Sequence, residues 1–231
     1  MRKVIGFIPA RGGSKGVPGK NVRVLKDKPL IQWTIDTAKK SGCLDEIVVS
    51  SDFDPILDVA RECGVNADRR PKALGGDDIE TVSVVCDFLD RAGLDHDDLI
   101  MLLQPTSPFR SYKNIVEAIE IYDQDISIDS VVSVCSVDGN HPFRMKRIEN
   151  GILVNFIDQG FEDMRPRQSL PKVYIRSGSI YLSSVGNILS SNSLVSGKVA
   201  PVFDDSVQSI NIDSPVDFLL AELIAQMKFE F

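Results

Sequence analysis

Ala10 to Asn21 reads ARGGSKGVPGKN, with Arg11, Lys15 and Lys20 set among Gly12, Gly13, Gly16 and Gly19. Glycines let a turn present successive backbone N–H groups to an anion, and the three cations supply charge that peptide dipoles lack. A solvated surface loop has no need of so many entropically costly glycines. Arg11, Gly13, Lys15 and Lys20 are therefore read as a polyphosphate cradle. Their spacing fits neither the GxxxxGK[ST] loop nor the GxGxxG loop, which points to a nucleotide enzyme of another kind. Asn21 either contacts the nucleotide or caps the segment that follows.

Three more clusters carry groups that can act on such a ligand. In QPTSPFR, Gln104, Thr106 and Ser107 place an amide and two hydroxyls in a loop stiffened by Pro105 and Pro108. They suit the reading of a base or sugar, or else they satisfy the turn's own backbone. In RPRQ, Arg167 can clamp a carboxylate or phosphate bidentately, with Gln168 beside it. Arg165 reads more simply as a charge pair, and Arg176 is open to either reading. Asp213 precedes a helix cap, so it either aids the helix start or holds Mg2+, a hard ion that prefers oxygen and bridges phosphates. Asp52, near a strand end, is a weaker metal candidate that otherwise contacts a ribose or only caps a turn.

Strands and helices in alternation must position these groups. Val4 to Pro9 is an apolar run of buried-strand type, and Pro29 opens a helix that Gly42 stops. EIVVS (46–50) is the next strand, followed by a helix over 54–63 ended by Gly64 and a short strand at 65–67. A helix spans 80–91, LIMLL (99–103) is a strongly buried strand, a helix covers 112–122, and 130–137 returns as strand. The pattern predicts a three-layer, doubly wound, mainly parallel α/β sheet. In such sheets ligands bind beyond the carboxyl ends of the strands. The glycine-rich loop, Ser50–Asp52 and Gln104–Arg110 each follow a strand directly, so they converge on one edge.

From 140 to 171 the pattern changes. Two short strands flank Asn150-Gly151, a strong hairpin signal. The excursion is too small to fold alone and reads as an arm that packs on a second subunit, within a single catalytic domain of 1–231. After it, 173–182 is a strand region interrupted by Gly178. Ser214-Pro215-Val216-Asp217 opens the last helix, whose apolar side is assigned to Phe218, Leu219, Leu223, Ile224 and Met227.

Of 231 residues, 43% are hydrophobic and 26% charged, which suits one substantial core. A net charge of −7 argues against nonspecific nucleic-acid binding. No apolar run is long enough to span a bilayer or to form a signal-peptide core, so a cytoplasmic protein without membrane partners is expected. Cys43, Cys63, Cys86 and Cys135 form no CxxC pair and read as packing residues, and two histidines, His96 and His141, argue against a histidine-rich metal centre.

Taken together, IPARGGSKGVPGKN, LLQPTSPFR, PRQSLP, GSIY and INIDSPVDF resemble, in that order and nearly end to end, the cytidylyltransferases that activate sialic and related nonulosonic acids. The resemblance implies attack by the C2 hydroxyl of a 2-keto sugar acid on the α-phosphorus of CTP, releasing pyrophosphate. It implies that Arg11, Lys15 and Lys20 hold the triphosphate near Asn21. Arg70 and Gln104–Ser107 then place cytidine or sugar, and Arg167 and Gln168 reach the acidic sugar from an arm exchanged across a homodimer. Asp213 holds Mg2+ at the phosphates. Two departures stand out. The family's DID segment is here Asn211-Ile212-Asp213, where Asn211 offers an oxygen but no charge. Its RxNG-like segment is here Ile175-Arg176-Ser177-Gly178. Legionaminate, pseudaminate and N-acetylneuraminate are all candidate acids. A sugar-1-phosphate nucleotidyltransferase and a nucleotide-binding regulator without catalysis are the alternatives.

Overall fold

The computed structural model describes residues 2–137 and 139–227. The strands and helices are β1 (Val4–Pro9), β2 (Val24–Leu25), β3 (Lys28–Pro29), α1 (Leu30–Ser41), β4 (Glu46–Ser51), α2 (Asp54–Glu62), β5 (Asn66–Arg69), α3 (Thr81–Ala92) and β6 (Leu99–Leu103). They continue with α4 (Tyr112–Gln124), β7 (Ser130–Ser136), β8 (Lys146–Glu149), β9 (Ile152–Asn155), β10 (Tyr174–Ser184), α5 (Val185–Ser191), β11 (Val199–Phe203) and α6 (Pro215–Gln226). Seven strands form one sheet in the order β11-β7-β10-β6-β1-β4-β5. Every pairing in it is parallel except those of β10, which runs antiparallel to both β6 and β7.

The central strands are apolar throughout because both faces are covered. Side chains alternate across a strand, so β6 sends Leu99, Met101 and Leu103 to the face under α1, α2 and α4. Its Ile100 and Leu102 go to the opposite face, against Val82, Val85 and Leu89 of α3 and Val185 and Ile188 of α5. These are the three layers expected from the sequence. A third apolar cluster lies at the carboxyl edge. There Phe218, Ala221, Ile224 and Ala225 of α6 pack on Val17, Leu25, Leu30, Phe109 and Ile212. A capping box between Ser214 and Asp217 starts α6.

Several elements differ from the sequence reading. Residues 174–184 form one strand despite Gly178, whose φ of +84° is absorbed in a register shift between Arg176 and Tyr181. β11 and α5 were not anticipated: β11 is an edge strand interrupted by Pro201, and α5 is only two turns long. On α6, small Ala221 and Ala225 let the helix lie close on the core, while Leu219, Leu223 and Met227 remain exposed. The excursion between β7 and β10 carries the expected hairpin, β8 with β9, turning at Asn150 and Gly151, both at positive φ. Buried His141 pins its root, with Nε2 3.1 Å from the Pro171 carbonyl oxygen and Nδ1 accepting from Phe143 N–H. The four cysteines are half-buried free thiols.

Leu102 is fully buried on the central strand. Leu102→Ala should cost about 3 kcal/mol through lost transfer and a residual cavity. Urea unfolding should show the midpoint falling with an unchanged slope.

Candidate active site

Beyond the carboxyl ends of β1 and β6 lies a cavity of about 370 Å3. One wall is the glycine-rich loop, which is built tightly. Gly12 N–H donates to Asp52 Oδ1 at 3.0 Å, and a Cβ at Gly12 would lie 2.6 Å from Phe53 Cβ. Gly16 passes so close to the C-terminal segment that its Cβ would sit 2.0 Å from the Asp213 carbonyl oxygen. Directly after Gly16, the side chain of Val17 is buried in the apolar cluster, which anchors the loop. Lys20 Nζ donates to Ile212 O at 2.6 Å and to Asp213 Oδ1 at 3.3 Å. Asn21 Nδ2 closes the loop on Arg11 O at 3.0 Å.

The cations do not point into empty space. Arg11 forms an ion pair with Asp77, and Lys15 approaches the same carboxylate at 3.0 Å. The hydrogen bond from Lys15, aided by the positive charge of both partners, holds the Asp77 carboxyl below its ordinary range. Lys15 is largely exposed and lies outside the cavity wall, whereas Arg11, Gly13 and Lys20 form part of it. Asp77 follows the Lys72–Gly75 turn, where a Cβ at Gly75 would lie 2.4 Å from Asp52 Oδ2.

Arg70 is 4% exposed and also lines the cavity, beside Leu74, Ile79 and Val84. Its Nη2 is 3.5 Å from Asp52 Oδ1. Burial pushes its pKa down, and Asp52 pulls it back up. Asp52 therefore ties the glycine-rich loop to Arg70 rather than facing the cavity. Gln104 and Thr106 line the opposite wall, but Ser107 is fully buried beneath the loop. Thr106 O accepts from Ile212 N–H at 2.8 Å, which sets Asn211 and Asp213 on the same wall. Asn211 Nδ2 donates to Asp213 Oδ2.

Among the described residues, four buried side-chain atoms have no hydrogen-bond partner: Asn21 Oδ1, Arg70 Nε, Asn211 Oδ1 and Ser107 Oγ. The first three belong to residues that line this cavity, and the fourth lies in the loop beneath it. Buried polar groups are normally satisfied, so their concentration here marks a place prepared for a polar ligand.

A second cavity of about 280 Å3 adjoins the first and shares Gln104 and Thr81 with it. Arg176, Tyr181, Glu80 and the Asn192–Val195 segment complete its wall. Arg167 and Gln168 are in neither. They line a third cavity of about 580 Å3 with His141 and Tyr174, at the root of the arm. One chain therefore does not bring them to the other candidate residues. Sequence reading missed Asp77 and Thr81. The GGDD run at 75–78 was the available signal for Asp77, whereas nothing distinguishes Thr81 from an ordinary helix-start residue.

A profile of the family described as cytidylyltransferase matches residues 5–171. The chain belongs to the cytidylyltransferase family. It is 36% identical over 232 residues to the CMP-N,N'-diacetyllegionaminic acid synthase of Legionella pneumophila, covering 99% of this chain and 98% of that one. It is 31% identical over 229 residues to the N-acylneuraminate cytidylyltransferase of Escherichia coli, spanning 98% of this chain but 53% of that protein. Among solved structures, a CMP:2-keto-3-deoxy-manno-octonic acid synthetase complexed with CTP superposes with a TM-score of 0.73 at 16% identity, over 97% of this chain and 99% of that one. The fold of this cytidylyltransferase is thus shared well beyond recognisable sequence similarity.

Asp77 competes with any anion for Arg11 and Lys15. Asp77→Asn should tighten CTP binding about two- to fivefold at low salt, the scale of an exposed ion pair. The gain should vanish at high ionic strength, where such pairs are screened. Titration calorimetry at two salt concentrations checks this, and weaker binding by the variant would contradict it.

Proposed function

We propose that this cytidylyltransferase transfers CMP from CTP to the C2 hydroxyl of a nine-carbon 2-keto sugar acid, releasing pyrophosphate. The observation that carries the reading is the pair of adjoining cavities. One is walled by Arg11, Lys20 and Asp213, the other carries Arg176, and Gln104 stands at their junction. A polyanion fits the first and a carboxylate the second. Among acids of this class, the diacylated legionaminic type is favoured by the relative matched over nearly its whole length.

Each residue then has a defined task. Arg11 and Lys15 exchange Asp77 for triphosphate oxygens, and Lys20, already fixed by Ile212 O, holds the phosphate chain in place. Arg70 Nε, buried and unpaired, donates to the cytidine end between Leu74 and Val84. Asn21 Oδ1 accepts from a ligand hydroxyl or amine. Thr106 and the Gln104 amide orient the acceptor sugar, and Arg176 clamps its carboxylate. Ser107 keeps the shape of the loop from below. Charge accumulates on phosphoryl oxygens during transfer, so fixed cations and an aligned nucleophile supply most of the rate enhancement.

Asn211 Oδ1 and the Asp213 carboxylate fit Mg2+. Both are oxygen donors, one is a buried atom without a partner, and few protein ligands suffice where phosphates complete the shell. When bound, the ion supplies neutralisation of the phosphate charge. No group of three or more His, Cys, Asp or Glu side chains forms a rival site among the described residues.

The arm exposes Ile148, Ile152, Leu153, Phe156, Phe161 and Met164, a concentration of apolar side chains that single surface residues do not explain. We assign this face to a homodimer interface, through which Arg167 and Gln168 reach the acidic sugar of the neighbouring chain.

Pyrophosphate release should appear with CTP, Mg2+ and a nonulosonic acid from a panel of sialic, legionaminic and pseudaminic types. Release only with a sugar 1-phosphate would overturn the reading. Asp213→Ala should lower kcat about 100-fold or more with an unchanged unfolding midpoint. Light scattering should give twice the chain mass for the wild type and monomers for Leu153→Asp combined with Phe156→Asp. If the wild type is itself monomeric, the assignment of the arm is wrong.

A further inference from the structure

The cavity that carries Arg176 and Tyr181 is shaped by an irregularity in β10. Arg176 pairs with Val134 and Tyr181 with Val132, so five residue steps on β10 face two on β7. Residues 177–180 are therefore off the ladder with β7, although Ile180 keeps its pairing with Leu103 of β6, and Gly178 takes a φ of +84°. A bulge of this size forfeits ladder hydrogen bonds and persists only where other groups replace them.

A buried polar network provides the replacement. Asp204, 6% exposed just beyond β11, accepts through Oδ2 from the hydroxyls of Ser177 and Ser179, each at 2.6 Å, and through Oδ1 from Asn114 Nδ2 at 2.7 Å. Ser177 Oγ lies 2.7 Å from Ser133 Oγ, which also accepts Ile180 N–H at 2.9 Å. On the other side, fully buried Arg110 donates from Nε to Ser179 O at 3.0 Å and from Nη1 to Thr34 Oγ1 at 2.9 Å. Its Nη2 reaches Gln104 O at 2.5 Å. Ser179 thus joins a buried carboxylate to a buried guanidinium, with its hydroxyl on one and its carbonyl on the other. Burial draws the Arg110 pKa down to about 9, and the opposing pull comes from Asp204.

The network ends on the residues that line the second cavity. It fixes the backbone of Gln104, and it holds the bulge whose two ends carry Arg176 and Tyr181. Gly178 lies directly beneath the Gln104 side chain, since a Cβ there would be 3.3 Å from Oε1. Buried charges are costly, and a structural strand junction can be made with apolar side chains instead. The placement of these charges between Gln104 and the Arg176–Tyr181 bulge points to a positioning task.

We propose that Asp204, Ser177, Ser179 and Arg110 are positioning residues for the acidic-sugar subsite, setting Gln104, Arg176 and Tyr181 to one acceptor geometry while leaving the glycine-rich loop and its hold on CTP unaffected. The inference rests on the proposed reaction. Its signature is a split between substrates: a scaffold role would disturb both, because Gln104 and the glycine-rich loop share one sheet edge.

The test uses Ser177→Ala and Ser179→Ala, each removing one hydroxyl from Asp204, together with Ser177→Thr, which keeps the hydroxyl. CTP affinity is measured by calorimetry, and KM for each substrate by pyrophosphate release. We expect each alanine variant to raise KM for the sugar acid about tenfold, the scale of one charge-assisted hydrogen bond. CTP affinity and KM should stay within about twofold, and Ser177→Thr should restore most of the loss. An unchanged sugar KM, an equal rise in both KM values, or no rescue by threonine would overturn the role. An alanine variant that fails to bind CTP would mark the network as scaffold and overturn it equally. Wild-type enzyme that binds CTP but turns over no acid in the panel defeats the proposed reaction itself, and with it this role.

Discussion

Ile212 holds the carboxyl edge of the sheet together. Its N–H is taken by Thr106 O, its carbonyl oxygen by Lys20 Nζ, and its side chain is fully buried against α6. One residue thereby joins the loop after β6, the loop after β1 and the last helix. Because its neighbours on either side are Asn211 and Asp213, the same constraint that closes the core also places two oxygen-bearing side chains on the cavity wall. Gly16 completes the arrangement, since any larger residue would meet the Asp213 carbonyl and push the glycine-rich loop away. The capping box at Ser214 and Asp217 then fixes where the helix begins, with its N-cap one residue after Asp213.

The electrostatics follow from that geometry. A chain of net charge −7 concentrates cations at one edge, and without nucleotide they are neutralised locally by Asp77 and Asp213. In the proposed function, ligand binding is an exchange of anions at Arg11 and Lys15, which Asp77 holds in the free chain. The unpaired buried atoms of Asn21, Arg70 and Asn211 complement this exchange. They are groups whose hydrogen bonds are deferred, and in a low-dielectric cavity each is worth more to a ligand than it would be in water.

How much of this was legible in the residues depended on whether the signal was local. Val4–Pro9 and LIMLL announced strands covered on both faces, and Asn150-Gly151 announced a hairpin. Polar clusters directly after strands announced the site edge, and Arg11, Lys20, Asn21, Gln104, Thr106, Asn211 and Asp213 meet there. The antiparallel course of β10 was hidden, because strand direction is set by the path of the intervening arm and not by any residue within 174–184. Arg110 and Asp204 were hidden for a related reason. They are 94 residues apart, and they acquire meaning only when β10 passes between them. Arg167 and Gln168 read as site residues yet lie at the root of the arm, where they line a cavity separate from that of the other candidates.

In the proposed reaction the glycine-rich loop holds CTP so that its α-phosphorus, and no other, is transferred to a sugar acid in the adjoining cavity. Parallel reactions with CTP radiolabelled at the α- or the γ-phosphorus test this directly. The α-label should move into an acid-labile CMP-sugar and the γ-label should appear wholly in pyrophosphate. Recovery of α-label only as free CMP or CDP, with no sugar-linked product, would contradict it.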